Sequence, residues 1–261
     1  MGEVMGRRRV ERVMGTIASL DVRGHAVDEP DETVVSHVFD VLHDADTRFS
    51  LFQPDSELAR LVRGELEADA ASDPLREVLA LADDLRRTSG GYFDAGAHRA
   101  DGWLDPSGLV KGWATEEAAR ILDAAGVRDY CLNVGGDIIT RGGPEPGRAW
   151  RVGIRHPADR SRLAAVLAVV DAAVATSGAY ERGPHIVDPH LGRPATAWAA
   201  VTVIGPSLTY ADAYATTVFA MGRPGIAWLT AHPGYGVLAV DARDQAIWTG
   251  VVEEAMAAAR P

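Results

Sequence analysis

The chain has 261 residues, an apolar share of 47% and a formal net charge of −11 at pH 7. This length and composition allow a sizeable buried core and exclude a chain dominated by low complexity. The acidic balance argues against a nucleic-acid-binding protein, which would show a basic surface stripe. The single cysteine, Cys131, cannot form an internal disulfide, so nothing indicates an oxidising compartment.

The sequence shows no pattern typical of a signal peptide or a membrane span. Arg7, Arg8 and Arg9 resemble the basic start of a leader, but the next four residues do not begin an apolar run. No apolar stretch approaches the length of about 20 residues that a membrane helix needs. We therefore expect a cytoplasmic protein without a membrane span.

The N-terminal half is predicted to hold one strand and several helices. β-prone residues indicate a strand over residues 14–23, and apolar spacing indicates a helix over residues 31–49. Capping and stop residues predict further helices over residues 56–61, from 73 to about 90, and over 109–125. The Gly- and Asp-rich stretch over residues 91–108 is predicted to be mostly loop.

The C-terminal half is predicted to be richer in strands. These are expected over residues 130–134, 137–141, 150–156, 163–171 and 199–204, and near residues 237 and 247; helices are expected over 208–221, 226–231 and 251–259. Because helices and strands interleave without a strict βαβ order, the predicted class is α+β (mixed α/β), with mixed sheets flanked by helices.

A pair of oxygen-bearing side chains is the strongest chemical signal. Asp212 and Thr216 stand at i and i+4, so they share one face of their predicted helix. A carboxylate and a hydroxyl are hard ligands that suit Mg²⁺ better than Zn²⁺. His185 lies nearby in sequence, in the segment His185-Ile186-Val187-Asp188-Pro189. A divalent cation near a histidine indicates chemistry on a phosphate.

Two glycine-containing segments are candidate ligand contacts, each with a structural alternative. The turn from Leu104 to Gly112 opens a helix and offers backbone N–H groups to an anion, with Lys111 adding a positive charge; the alternative is a surface lysine beside an ordinary cap. The double glycine before Asp137 allows close approach of a ligand, or simply makes a tight turn.

Two other readings are disfavoured. Ser177 lacks the Gly-x-Ser-x-Gly frame of a nucleophilic serine. His185, Asp188 and His190 could be taken for a zinc cluster, but Pro189 interrupts regular geometry and no second His/Cys pair completes a tetrahedral set.

Several segments, in the same order, resemble the ApbE family of FAD:protein FMN transferases. They are Met14-Gly15-Thr16, the run from Phe49 to Leu58, Gly91-Tyr92-Phe93-Asp94, the run from Leu104 to Ala114, Leu132-Asn133-Val134-Gly135-Gly136-Asp137, Trp150-Arg151-Val152-Gly153-Ile154, the run from Thr176 to Arg182, His185-Ile186-Val187-Asp188-Pro189, and Ala211-Asp212 with Thr216. The resemblance covers about residues 13–250. It implies one ApbE-like domain over residues 13–261, after an N-terminal extension over residues 1–12.

The resemblance also implies a substrate, a metal and a set of roles. FAD would lie in a groove with its pyrophosphate near Mg²⁺, and the enzyme would move FMN to a threonine hydroxyl of an acceptor protein and release AMP. Gly108, through its carbonyl, Asp212 and Thr216 would bind the metal. The positions matching FAD contacts are Met14, Phe52, Phe93, Asp94, Asp105, Lys111 and His185. The chemistry of the residues adds that His185 would take the proton from the threonine, since a histidine suits proton transfer near neutral pH, and that Asp188 would orient its ring.

This sequence departs from the family pattern at two places. The segment between Asp94 and Asp105 is much shorter than is usual, and Phe52 stands where many relatives carry tyrosine. Two alternative functions therefore stay open: an FAD pyrophosphatase, in which water replaces the threonine, and a non-catalytic FAD-binding protein.

Overall fold

A computed structural model describes residues 6–23, 31–96, 104–179, 183 and 185–259 of the chain. Seven α-helices lie within these residues: α1 Glu32–Phe49, α2 Glu57–Val62, α3 Asp73–Thr88, α4 Ser107–Ala124, α5 Leu208–Met221, α6 Pro224–Thr230 and α7 Gly250–Ala258. A short 3-10 helix covers Ala68–Ala70. Capping side chains explain where four helices begin, since Asp31, Ser56, Ser72 and Ser207 each accept a hydrogen bond from a backbone N–H two or three residues ahead.

Twelve strands lie in the same residues: β1 Gly6–Val13, β2 Thr16–Arg23, β3 Asp129–Val134, β4 Asp137–Arg141, β5 Trp150–Arg155, β6 Leu163–Val169, β7 Ala173–Gly178, β8 Val187–Asp188, β9 Arg193–Pro194, β10 Ala200–Gly205, β11 Gly236–Val240 and β12 Ala246–Trp248. Eight of them form one sheet in the order β1-β2-β3-β4-β7-β10-β11-β12. The pairs β5–β6 and β8–β9 form two separate hairpins.

The main sheet is covered on both faces. Along β4, Ile138 belongs to one apolar cluster and Ile139 to another, and Val174 and Ala175 divide in the same way on β7. Because neighbouring residues of a strand point to opposite faces, the two clusters lie on opposite sides of the sheet. Helices α1, α4 and α5 supply the larger cluster, while the β5–β6 hairpin and α7 supply the smaller one.

The predicted α+β class is confirmed. One detail of that prediction is wrong: the sheets are not mixed, because every strand pairing in the described part of the chain is antiparallel. The direction follows from the connections, since tight turns such as Met14-Gly15 and Gly135-Gly136 join adjacent strands as hairpins, which are antiparallel.

Four strands of the structure were not predicted. The structure adds β1, most of which lies in the stretch assigned to an N-terminal extension, and it adds β7 and the small β8–β9 hairpin. Strand β1 carries four arginines among eight residues, which hid its alternation of exposed and half-buried positions. Among the described residues, no helix has the combination of length and apolar character required to cross a membrane.

Candidate active site between α4 and α5

Helices α4 and α5 pack against each other in opposite directions. Gly108 lies against Thr216, and one turn further along α4 Gly112 lies against Asp212. A Cβ atom at Gly112 would be 2.6 Å from the carbonyl oxygen of Leu208 and 2.7 Å from the Cβ of Asp212. Only glycine allows the two helices to approach this closely.

The three residues predicted to bind a metal lie along this contact. The N–H of Gly112 donates to Oδ2 of Asp212 at 2.9 Å. A Cβ at Gly108 would be 3.4 Å from Oγ1 of Thr216, and that hydroxyl is 3.0 Å from Oγ of Ser177 on β7. The structure therefore brings Gly108, Asp212 and Thr216 to one place at the N-terminal end of α4.

A second carboxylate, Asp137, lies beside this contact at the start of β4. Its Oδ2 is 2.8 Å from Nζ of Lys111, and the N–H of Thr176 donates to its Oδ1 at 3.3 Å. Asp137 is 1% exposed and Asp212 is 4% exposed. Burial first, and then the charge of Asp137, raises the pKa of Asp212 to about 8; burial also raises the pKa of Asp137.

This arrangement has the chemistry of a site for a hard divalent cation. Two buried carboxylates face one ammonium group, so ionisation of both leaves an excess negative charge that a cation would neutralise. The oxygen donors are a carboxylate, a hydroxyl and a backbone carbonyl, which suit Mg²⁺. Within the described ranges no group of three or more His, Cys, Asp or Glu residues is placed to hold a metal, so neither a zinc-type cluster nor an all-carboxylate site is found there.

The raised pKa of Asp212 has a consequence for stability that can be measured. Because the pKa of Asp212 is raised from 3.8 to about 8 in the folded protein, the folded state binds this proton more tightly than the unfolded state. The free energy of unfolding of the metal-free protein should therefore fall as the pH rises from about 4 to about 8. Thermal unfolding in EDTA across this range checks it. Asp212→Asn, which mimics the protonated form, should show a weaker dependence and a higher Tm than wild type near the upper end; parallel curves would contradict the assignment.

A small cavity next to the Gly108–Thr216 contact gathers several other predicted residues. Phe93, Asp94 and Asp105 line it together with Gly108 and Thr216. Ile186 and Val187, which follow His185 in the chain, complete this wall of the cavity. Oδ1 of Asp105 accepts the N–H of Ser107 at 3.1 Å. Segments that are far apart in the sequence thus meet where the predicted flavin and metal positions adjoin.

His185 lies at the edge of this region and is exposed. Its Nδ1 is 2.9 Å from the carbonyl oxygen of Gly183. A carbonyl oxygen only accepts, so this bond assigns the proton to Nδ1 and leaves Nε2 with a free lone pair when the ring is neutral. Asp188 was expected to contact the His185 ring. In the structure its Oδ1 instead accepts hydrogen bonds from the backbone N–H groups of His190 and Leu191.

His190 makes a contact between two segments of the chain. Its Nε2 is 3.0 Å from the carbonyl oxygen of Gly90, and its ring packs edge-on against Tyr92, with centroids 4.4 Å apart. His190 therefore joins the β8–β9 hairpin to the segment that carries Phe93 and Asp94.

Some predicted flavin contacts do not line the cavity. Phe52 is 93% exposed, and the N–H of Met14 donates to Oδ2 of Asp46 at 2.9 Å in the β1–β2 turn. Lys111 is paired with Asp137. The roles of these three residues toward FAD stay predictions. Residues 97–103 of the shortened segment, and Tyr180, Glu181 and Arg182, lie outside the described residues.

Sequence reasoning missed three polar residues whose contacts join the elements around this site. Asp137 was noted only as the end of a glycine turn, although a carboxylate at the start of a buried strand is itself an unusual feature. Ser177 was considered only as a nucleophile, and its hydroxyl instead contacts Thr216. Glu116 was not singled out at all, and no local motif marks it.

The fold of this chain is the one seen in solved flavin transferases. The fold matches that of the flavin transferase ApbE from Vibrio cholerae with a TM-score of 0.82, at 22% identity, over 96% of this chain and 99% of the other. It matches the apo form of the Pseudomonas stutzeri flavinyl transferase ApbE with a TM-score of 0.83, at 21% identity, over 98% and 99% of the two chains.

The chain belongs to the ApbE family, whose family model matches residues 14–101 and 96–239. The FAD:protein FMN transferase of Klebsiella pneumoniae is 35% identical over 134 residues, which are 47% of this chain and 38% of that relative. The matched region thus spans less than two fifths of the curated relative's length. The resemblance stated from the sequence motifs is confirmed.

Proposed function

We propose that this chain is a Mg²⁺-dependent FAD:protein FMN transferase, which moves FMN from FAD to a threonine hydroxyl of an acceptor protein and releases AMP. The observation that carries the proposal is the Asp212–Thr216 pair, which packs against Gly112 and Gly108 of α4 next to the cavity lined by Phe93, Asp94 and Asp105. Several relatives that are about 35% identical over the matched region are named FAD:protein FMN transferase, which supports the proposal.

The residues that would hold Mg²⁺ are Asp212, Thr216 and Gly108, the last through its carbonyl. When bound there, the ion would supply Lewis-acid stabilisation of charge on phosphate oxygens. Ser177 orients the Thr216 hydroxyl through their 3.0 Å contact. Asp137 holds Lys111 beside the same place, so a positive charge is kept close to an incoming pyrophosphate.

The N-terminus of α4 offers a second means of binding a phosphate. Its N-cap residue, Pro106, supplies no side-chain cap. This end of the helix carries the positive end of the helix dipole and lies on the cavity side of Gly108. An anion is favoured there. Asp105 already accepts the N–H of Ser107 at 3.1 Å, so the orientation of this turn is fixed before a ligand arrives.

His185 is the proposed general base. Its Nδ1–H donates to the Gly183 carbonyl, so Nε2 is the nitrogen that accepts the proton of the threonine hydroxyl. His185→Ala should lower kcat for FMN transfer by about 10²- to 10⁴-fold, the usual contribution of a general base. Binding of FAD, followed by quenching of its fluorescence, should change far less. A variant that keeps the wild-type kcat would remove His185 from the mechanism.

The transfer itself is tested by product analysis. The protein is incubated with FAD, Mg²⁺ and an acceptor from the same genome that carries an Asp-x-x-Ser/Thr-Gly-Ala-Thr segment. The expected result is one added FMN mass on the acceptor threonine and an equal amount of AMP. Threonine→Ala in the acceptor should abolish the adduct.

The two alternatives give different products in the same experiment. Free FMN and AMP with an unmodified acceptor would indicate an FAD pyrophosphatase. Bound FAD with neither product would indicate a flavin-binding protein without catalysis. The cytoplasm stays the predicted location, and the acceptor is accordingly sought there.

A further inference from the structure

Glu116 on α4 makes three hydrogen bonds to the beginning of α5 through one oxygen atom. Its Oε2 accepts hydrogen bonds from the Ser207 hydroxyl at 2.7 Å, the backbone N–H of Thr209 at 2.8 Å and the Thr209 hydroxyl at 2.7 Å. Ser207 is the N-cap of α5 and its Oγ also accepts the N–H of Tyr210. The carboxylate of one helix thus completes the cap of the other, where its negative charge also suits the helix dipole.

These bonds are the third contact in a regular series along the two helices. Residues 108, 112 and 116 of α4 are spaced by four and so lie on one face. They meet Thr216, Asp212 and the 207–209 turn of α5 in that order. With a rise of 1.5 Å per residue, Glu116 lies about 12 Å along the axis from Gly108. It is therefore too far along the helix to belong to the metal site itself.

The first two contacts cannot set the register of the helices alone. Gly108 and Gly112 have no side chains, so they permit close approach without specifying how far one helix slides along the other. The Gly112 N–H bond to Asp212 is a single contact. Glu116 accepts its three bonds from the N-cap Ser207 and from Thr209 in the first turn of α5. Bonds to two neighbouring residues resist both sliding and rotation of one helix against the other.

We propose that Glu116 is a positioning residue of the metal site: by anchoring the first turn of α5, it fixes the register in which Thr216 meets Gly108 and Asp212 meets Gly112. This inference rests on the proposed function, since it assigns Glu116 to the support of the same Mg²⁺ site. Glu116 touches neither metal nor substrate and acts only through the helix that it holds. Glu116, which lies one turn beyond Gly112 along α4, would thus influence the affinity for Mg²⁺ without contacting the ion.

The test uses Glu116→Ala, Glu116→Gln and the control Glu117→Ala in the full chain. Gln keeps the volume and one acceptor oxygen, whereas Ala removes every bond to α5. Glu117 is the adjacent residue of α4 and forms an ion pair with Arg120 of its own helix. Mg²⁺ binding is measured by isothermal titration calorimetry, FAD binding by fluorescence in EDTA, and kcat as a function of Mg²⁺ concentration.

We expect Glu116→Ala to raise the Kd for Mg²⁺ about 10-fold, as loss of a supporting partner does at other metal sites. Glu116→Gln should fall between it and wild type, and Glu117→Ala should equal wild type. Excess Mg²⁺ should restore kcat in both Glu116 variants, and FAD binding in EDTA should be unchanged. A purely structural role would lower the folded fraction but leave the Kd of the folded protein for Mg²⁺ at the wild-type value.

Three results would overturn the proposal. They are a wild-type Kd for Mg²⁺ in both Glu116 variants, a loss of kcat that excess Mg²⁺ does not restore, and a wild-type Kd in Glu116→Gln when Glu116→Ala does not fold. Failure of the wild-type protein to bind Mg²⁺ would instead remove the proposed function. If wild type binds Mg²⁺ and the Glu116 variants bind it equally well, only the proposed role of Glu116 is refuted.

Discussion

Asp212→Ala is expected to abolish Mg²⁺ binding and to lower kcat for FMN transfer by about 10³-fold or more, the loss typical of removing a main stabiliser of transition-state charge. Asp212 supplies the only carboxylate among the three proposed metal ligands. Thr216 and Gly108 offer neutral oxygens, and these alone bind a hard cation weakly. Product formation at saturating FAD and calorimetric titration of Mg²⁺ measure the two losses.

The loss should not arise from unfolding. The raised pKa of Asp212, caused first by burial and then by the charge of Asp137, indicates that its ionised form destabilises the metal-free fold. Asp212→Asn, which keeps the shape of the side chain, should therefore fold at least as stably as wild type and still be inactive. Asp83→Ala, on an exposed part of α3, is the matched surface control. If Asp212→Asn turns over as fast as wild type, the metal site is refuted. If the wild-type protein itself binds FAD but shows no turnover, a flavin carrier is favoured.

Local spacing was enough to place the two proposed metal ligands of α5 on one helix face. Asp212 and Thr216 lie one turn apart on any helix, so their common face follows from the sequence once residues 208–221 are recognised as helical. The start of α4 was found in the same way, from a glycine-containing turn before an apolar helix. For these positions the prediction needed no knowledge of the tertiary fold.

The support of the site depends on contacts that no local pattern contains. Lys111 and Asp137 meet because β4 lies under α4, and Glu116 meets Ser207 across 91 positions of sequence. Strand β1 was missed for a different reason, because its arginines suppress the apolar alternation by which strands are recognised. The ordered motifs conveyed the family, but the pairing of helices and strands had to come from the structure.

Gly112→Ala is expected to destabilise the protein by about 3 kcal/mol, near the upper end of the usual cost of overpacking. The added Cβ would lie 2.6 Å from the Leu208 carbonyl oxygen and 2.7 Å from the Cβ of Asp212. Neither atom is the end of a flexible side chain, so relief requires the helices to move apart. Urea denaturation measures the change in free energy of unfolding.

Gly250→Ala is the control for this substitution, because no atom lies within 4 Å of the Cβ it would add and its backbone is in no left-handed conformation. Its effect should stay within about 0.5 kcal/mol, as for most surface substitutions. Separation of α4 and α5 would also lengthen the 2.9 Å bond from Gly112 N–H to Asp212 and draw that carboxylate away from Gly108. Gly112→Ala should therefore weaken Mg²⁺ binding even where the variant is fully folded. A variant with wild-type stability and wild-type metal affinity would show that close approach of these helices is not what assembles the site.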